Sequence, residues 1–306
     1  MAFTAKDVQT LRERTGVGML DCKNALVEAD GDIEKAIDCL REKGLAAAAK
    51  KSGRIAAEGA VVAYQAGGVA VLLEVNSETD FVAKNAQFQA FAASVAKTVA
   101  QQNPADIEAL AALTMADDSR TVQENLQDKI LSIGENLKLR RFVRVEGVCA
   151  TYIHAGGSVG VLVRFDADAS LADNAEFIAM GKDVAMQIAA MSPSYLDAAS
   201  VPADVLAKEK EILVAQMKED PKMQNKPDAV LGKIVDGRIG KYYSENCLLE
   251  QSFVKDDSMS VAKYVASVAK SLGAEVGVAE FVRFAKGEGL EKRQDDFASE
   301  VAGMVK

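Results

Sequence analysis

Apolar positions along this chain keep one of two periods, and an element begins or ends wherever the period changes. Val8 with Leu11, then Leu20, Leu26 and Val27, then Ile33, Ala36, Ile37 and Leu40 recur at helical spacing, which predicts three short helices over residues 1 to about 44. The punctuation agrees: Thr4 and Asp7 make a capping-box pair, Gly16 is placed to end the first helix, and Asp32 caps the third after the ADGD turn. A unit so short has a small core, so the Met19-Leu20 turn is either an exposed apolar contact or part of that core. GLAAAAKKSGR, from residue 44 to 54, has the Ala- and Lys-rich composition of a partly helical linker over 45–54.

Beyond the linker the period drops to two. Ala60 to Tyr64 and Val69 to Asn76 predict two strands of a hairpin turning through Ala66-Gly67-Gly68. Phe81, Phe88, Phe91, Val95 and Val99 return to helical spacing, giving helices over about 82–101, 105–113 and 121–133 before a strand from Leu139 to Val145, in which Leu139, Arg141, Val143 and Val145 alternate. Residues 55–146 thus predict a small α+β subdomain with an antiparallel sheet.

The same pattern then repeats over 147–286. GAVVAYQAGG at 59–68 resembles GVCATYIHAGG at 147–157, and VAVLLEV at 69–75 resembles VGVLVRF at 159–165. The offset is 88 from Gly59 to Gly147 and 89 from Asn85 to Asn174, but 139 from Phe142 to Phe281. The jump marks an insertion between about 192 and 259, whose segments 208–220 and 227–251 predict a helical hairpin around the Pro221 to Pro227 breaker. Such a hairpin serves a partner or a second copy of the chain, or else it packs as a lid on its own domain. In the remaining module, 287–306, Phe297, Val301, Met304 and Val305 form one apolar stripe of a C-terminal helix.

The junction TDFVAKN, residues 79–85, lies where the second strand hands over to a helix. Asp80 and Phe81 are there either as cap and core plug or as side chains displayed to a partner from a rigid junction. Comparison of the copies favours display, because the second has Asp168-Ala169-Ser170 at this place and does without an aromatic plug.

Composition narrows the chemistry. A net charge of −9 disfavours direct nucleic-acid binding and attraction to anionic membranes. There is no secretory h-region and no bilayer-spanning apolar run, which predicts a cytoplasmic protein. Cys22, Cys39, Cys149 and Cys247 lack metal or disulfide-framework spacing, and the single histidine, His154, has no partner for acid–base or nucleophilic catalysis. No phosphate-binding glycine motif opens a helix after a strand, so neither nucleotide, cofactor nor metal is expected on the chain. Two other classes remain for comparison: an adaptor whose three-helix head binds a peptide or ubiquitin-like protein, and an enzyme using the groove between the repeats.

LRERTGVGMLDCKNAL with ADGDIEKAI, EVNSETDFVAKNAQFQAF, YIHAGGSVGVLV, KPDAVLGKIVDGRIGKYYSENCLLEQSFVKD and FVRFAKGEGLEKRQDDFASEVAGM occur in this order. Together they closely resemble the elongation factor Ts family, bacterial guanine-nucleotide exchange factors for elongation factor Tu. The resemblance implies a ubiquitin-associated-like head over 1–44, a core of two related α+β subdomains, a hairpin used for dimerisation and a C-terminal module. It further implies that Thr79, Asp80, Phe81 and Val82 form a wedge entering the partner's nucleotide domain beside its magnesium and phosphate site. Leu11, Arg12, Gly16 and Met19 of the head, with Phe297, Val301 and Met304 of the tail, would hold that domain. His154 and Ala155 of the second hairpin would touch another part of the partner. Many members carry a glycine and an arginine where this chain has Ala155 and Ser158.

Overall fold

The computed structural model describes residues 3–219 and 228–291. The chain opens with three helices, α1 (Ala5–Thr15), α2 (Met19–Glu28) and α3 (Ile33–Lys51). The Thr4 hydroxyl accepts from the Asp7 amide while the Asp7 carboxylate accepts from the Thr4 amide at 2.7 Å, and Gly16 ends α1 in the left-handed conformation at φ 70°. Asp32 Oδ1 accepts from the amides of Glu34 and Lys35, starting α3. Leu11, Cys22, Leu26, Ala36 and Leu40 fill the space between them.

Helix α3 does not stop near residue 44. It runs on to Lys51 through the strong helix formers of LAAAAKK. Gly44 is buried where the helix meets the next unit, near the main chain of Gln127, and a Cβ there would make ordinary contact at 3.6 Å. Lys51 Nζ donates to the Ile130 carbonyl at 3.3 Å. Most of the expected linker is therefore a helical arm laid on the next unit.

That unit comprises β1 (Glu58–Ala66), β2 (Val69–Ser77), α4 (Asp80–Ala83), α5 (Ala86–Gln102), α6 (Ile107–Ala112), α7 (Val122–Ile133) and β3 (Lys138–Glu146). The second comprises β4 (Val148–His154), β5 (Val159–Ala167), α8 (Ala175–Met191), the inserted α9 (Ala203–Glu219) and α10 (Asp228–Asn246), β6 (Ser252–Phe253), β7 (Asp256–Ser260), α11 (Val261–Leu272) and β8 (Val276–Ala285). The fold is α+β, with antiparallel sheets ordered β1-β2-β3 and β4-β5-β8 and a small β6-β7 pair. Helices α5 and α8 keep the 89-residue offset at both ends, and α7 and α11 keep the 139-residue offset at both ends. Each central strand also bulges at the same place, between Glu74 and Val75 in β2 and between Arg164 and Phe165 in β5.

The bulge corrects the expected alternation along β3. Leu139 packs with the α5 and α7 core, whereas Val143 and Val145 face the other sheet. One face of each sheet is covered by helices; the other faces meet through Val61, Ala70, Leu72, Leu162 and Phe284. Strand β5 comes so near that a Cβ on Gly160 would lie 2.4 Å from Val61 Cγ1 and 2.8 Å from Leu72 Cδ1. The Val61 amide donates to the Gly157 carbonyl at 2.8 Å, and the Gly147 amide to the Gly68 carbonyl at 2.8 Å.

At one edge of this seam the fully buried Glu74 accepts from Arg140 at 2.8 Å, Arg141 at 2.7 Å, the Gly287 amide at 2.8 Å and Asn76 at 3.1 Å. The bulge brings both adjacent arginines to one carboxylate. Burial pushes the Glu74 carboxyl up, but the donors of Gly287, Arg140, Asn76 and Arg141 outweigh it and hold it below the usual carboxylate range. The corresponding position in the second unit reverses the charges, with Arg164 paired to Glu280 at 2.7 Å.

The insertion is a helical hairpin, with helices of 203–219 and 228–246 in place of the expected 208–220 and 227–251. It has a core of its own, Leu213, Met217, Val235 and Ile239. Its base is tied where the amides of Ser194 and Tyr195 donate to the Asn246 carbonyl. Residues 247–260 return to the second unit as β6 and β7, where Phe253 stacks on Tyr264 at 4.1 Å. The expected C-terminal helix lies outside the described residues.

Two outcomes test this packing. Gly160→Ala forces overlap in a close-packed seam and is expected to lower stability by about 1–3 kcal/mol in urea melts; an unchanged midpoint would contradict the contact. Because the folded Glu74 carboxyl is held low, its contribution is present above the ordinary value of 4.5 and lost as pH falls through the folded value. Glu74→Gln should therefore be less stable at neutral pH and lose less further stability on acidification. Parallel melts across that range check the sign.

Candidate functional site

Strand β2 ends at Ser77, and the chain then turns sharply to expose one large side chain. The long helix expected from about residue 82 is broken in two: α4 is a single turn, and Asn85 starts α5 by accepting from the amides of Gln87 at 2.8 Å and Phe88 at 3.4 Å. Asn85 is itself the stop signal, because a cap residue leaves helical backbone geometry. Phe81 sits on this short turn with 80% of its surface exposed. Its neighbours Val82 and Ala83 point inward, Val82 joining the core with Phe88 and Phe91. Val82 is thus the anchor of the turn and lends no surface to a partner.

Asp80 is not a cap. Its carboxylate accepts from Lys84 Nζ at 2.9 Å, and this hydrogen bond, with the charges of Lys84 and Lys286, holds the carboxyl below the usual range. The backbone before it is fixed by a residue that sequence patterning did not single out. Glu135 Oε2 accepts from the amides of Glu78 and Thr79, both at 3.0 Å, and its Oε1 accepts from the Thr79 hydroxyl at 2.6 Å. Glu78 Oε1 in turn accepts from the Asn136 amide at 2.6 Å, and Ser77 Oγ donates to the Thr79 carbonyl at 2.9 Å. The loop after α7 thereby clamps the loop after β2.

The other expected contact residues fall into three groups. In the head, Arg12, Gly16 and Met19 are exposed, but Leu11 is fully buried in the three-helix core and offers no surface. Met19 is 46% exposed and the adjacent Leu20 69%; together with Phe3 and Val8 they line a groove of about 560 Å³. Gly16 lies beside the start of α5, where a Cβ would stand 3.7 Å from Gln87 Nε2.

His154 and Ala155 are exposed at the tip of the β4–β5 hairpin, with Ala155 at φ 45°. His154 Nδ1 shares a hydrogen bond of 3.0 Å with the Tyr152 hydroxyl. The turn of this hairpin is joined to the start of β1 through Lys286, whose amide donates to the Ser158 carbonyl at 2.9 Å and whose ammonium pairs with Glu58. Phe297, Val301 and Met304 lie outside the described residues.

Among the described residues no cluster of His, Cys, Asp or Glu could hold a metal ion, and no helix is long and apolar enough to cross a membrane. Burial pushes the thiols of Cys149 and Cys247 up to about 11, so neither supplies a thiolate near neutrality. Fold and geometry together define a duplicated α+β protein with a helical head, whose most distinctive surface group is a clamped aromatic side chain.

The family model for elongation factor Ts matches residues 78–288. The chain is 51% identical to the elongation factor Ts of Syntrophotalea carbinolica, with all of both chains covered. It is 50% identical to that of Trichlorobacter lovleyi, covering 100% of this chain and 99% of the relative, and 48% identical to that of Clostridium kluyveri, covering 99% of each. The chain belongs to the elongation factor Ts family.

The exposure contrast on the turn is directly testable. Val82→Ala removes buried methyl groups and should cost about 1–3 kcal/mol, whereas Phe81→Ala should cost roughly 0.5 kcal/mol or less. Denaturant melts of the two variants check this ranking, and its reversal would show Phe81 to be a core residue.

Proposed function

We propose that this chain is a guanine-nucleotide exchange factor for elongation factor Tu and that Phe81, with Asp80 beside it, is the wedge that loosens GDP. The observation that carries the reading is the exposure of Phe81 on a clamped turn in a member of the elongation factor Ts family. An aromatic side chain left in water loses the stabilisation that burial would give it, on the order of 1.5–3 kcal/mol, unless a partner covers it.

Exchange of this kind requires neither acid nor base catalysis. A factor that binds the nucleotide-free partner better than the GDP-bound partner must, by linkage, weaken GDP binding by the same factor. A ring pressed between packed helices achieves this when the partner's magnesium ligands shift, because the metal's charge stabilises the phosphates only with its coordination intact. Thr79 and Val82 serve by holding the turn. Arg12, Gly16 and Met19 of the head, His154 and Ala155 of the second hairpin, and Phe297, Val301 and Met304 of the tail supply further contacts with elongation factor Tu. The hairpin of α9 and α10 supplies a self-association surface, on which Ile212, Val214 and Val230 are exposed.

Catalytic amounts of the chain, mixed in a stopped-flow instrument with elongation factor Tu carrying fluorescent GDP, should accelerate GDP release. Phe81→Ala should lower the stimulated rate roughly tenfold or more, equivalent to about 1.4 kcal/mol of lost differential binding. No acceleration by the wild-type chain, or an undiminished rate with Phe81→Ala, would contradict the proposal.

A further inference from the structure

The clamp on the wedge turn is peculiar to one of the two copies. Gly134 ends α7 in the left-handed conformation, and Gly273 ends α11 in the same way 139 residues later. The residue after each glycine occupies the equivalent place in its unit. In the first unit it is Glu135; in the second it is Ala274, which has no carboxylate to offer. The turn after β5 is held locally instead, Asp168 accepting from the amide of Ser170 at 2.9 Å and from its hydroxyl at 2.6 Å. The α+β unit therefore folds without a glutamate after its glycine cap. Glutamate occurs there only in the copy that displays a phenylalanine.

We infer that Glu135 is a positioning residue for exchange, fixing the Glu78-Thr79 backbone so that Phe81 projects in one direction; this rests on the wedge reading above. Both amides converge on Oε2 and the Thr79 hydroxyl reaches Oε1, so a single carboxylate fixes two successive peptide units and one side chain. The amides of Glu78 and Thr79 would otherwise face water or leave the turn free to sample other orientations. A freely rotating turn would place the ring correctly for only a fraction of encounters, and stimulation falls by that fraction.

The test is a double-mutant cycle on the full-length chain, read as maximal stimulation of GDP release from elongation factor Tu at saturating factor, with hydrogen exchange of the Glu78 and Thr79 amides measured on the free chain. Glu135→Ala should lower stimulation roughly tenfold and speed exchange of both amides, and should change stimulation less than about twofold when Phe81 is already alanine. Glu135→Gln should recover most of the loss: its carbonyl can accept both amides while its NH2 group donates to a reoriented Thr79 hydroxyl. A loss from Glu135→Ala that is equal in both Phe81 backgrounds would assign it to general destabilisation and overturn the inference. So would unchanged release, or amide protection that survives the substitution. If the wild-type chain gives no stimulation the wedge reading itself falls, whereas a stimulating wild type with an insensitive Glu135→Ala rejects only the positioning role.

Discussion

The close approach of strand β5 to strands β1 and β2 is the constraint on which the rest of the structure depends. Each unit has a three-stranded sheet with helices on one face only, so the bare faces must cover one another. They do so over small side chains, Ala70 and Val61 against Leu162, and over Gly160, where even a methyl group would overlap Val61. This contact also fixes the ends of the strands. Gly157 accepts from Val61, which sets the second hairpin against the start of β1, and β1 pairs from Glu58 with the end of β2 at Ser77. The chain leaving β8 then closes the edge through Gly287 on Glu74 and Lys286 on Glu58.

From that frame the Phe81 turn inherits its fixed placement. Val82 and Ala83 are drawn inward and Phe81 is left outside, which is stable only if the intervening backbone cannot rearrange to bury the ring. Glu135 and Asn136 prevent the rearrangement by bonding Glu78 and Thr79 from the opposite loop. The exposed ring is thus maintained by polar bonds made several ångströms away from it, and the apolar surface so presented is free to take part in binding. The unit that lacks the phenylalanine also lacks this glutamate.

Much of this was legible in the sequence, for identifiable reasons. Capping residues act locally, so Thr4, Gly16 and Asp32 announced their helix ends correctly. Duplication was visible as a constant offset, and the offset jump placed the insertion, because an inserted hairpin leaves the spacing on either side unchanged. Leu11 was legible as part of the apolar stripe of α1, and its burial removes it from the contacts that the resemblance implies. Two features escaped because they are set by tertiary contact. Helix α3 continues past residue 44 because it lies on α7, and the alternation of β3 shifts phase at a bulge. Glu135 carries no local signal either, since its partners lie 56 and 57 residues away. Aligning the two copies at the second offset would have exposed it, as Ala274 stands in its place. Asn85 reads as a helix start when the two copies are aligned, while the helical spacing of Phe81 with Phe88 extends the expected helix back to about residue 82, a spacing that a single separate turn preserves.

If the Phe81 side chain is the proposed wedge, it must make the chain discriminate between the nucleotide-free and GDP-bound states of elongation factor Tu, and that discrimination can be measured. Titration calorimetry can give the affinity of the chain for elongation factor Tu without nucleotide and with saturating GDP. Linkage makes the ratio of the two equal to the factor by which the chain weakens GDP binding. A large ratio is expected for the wild-type chain, and Phe81→Ala should reduce it by roughly tenfold or more, with most of the change in the ratio rather than in affinity for the GDP-bound form. A ratio unaffected by Phe81→Ala, in a variant that still binds and melts like the wild type, would contradict the proposed wedge.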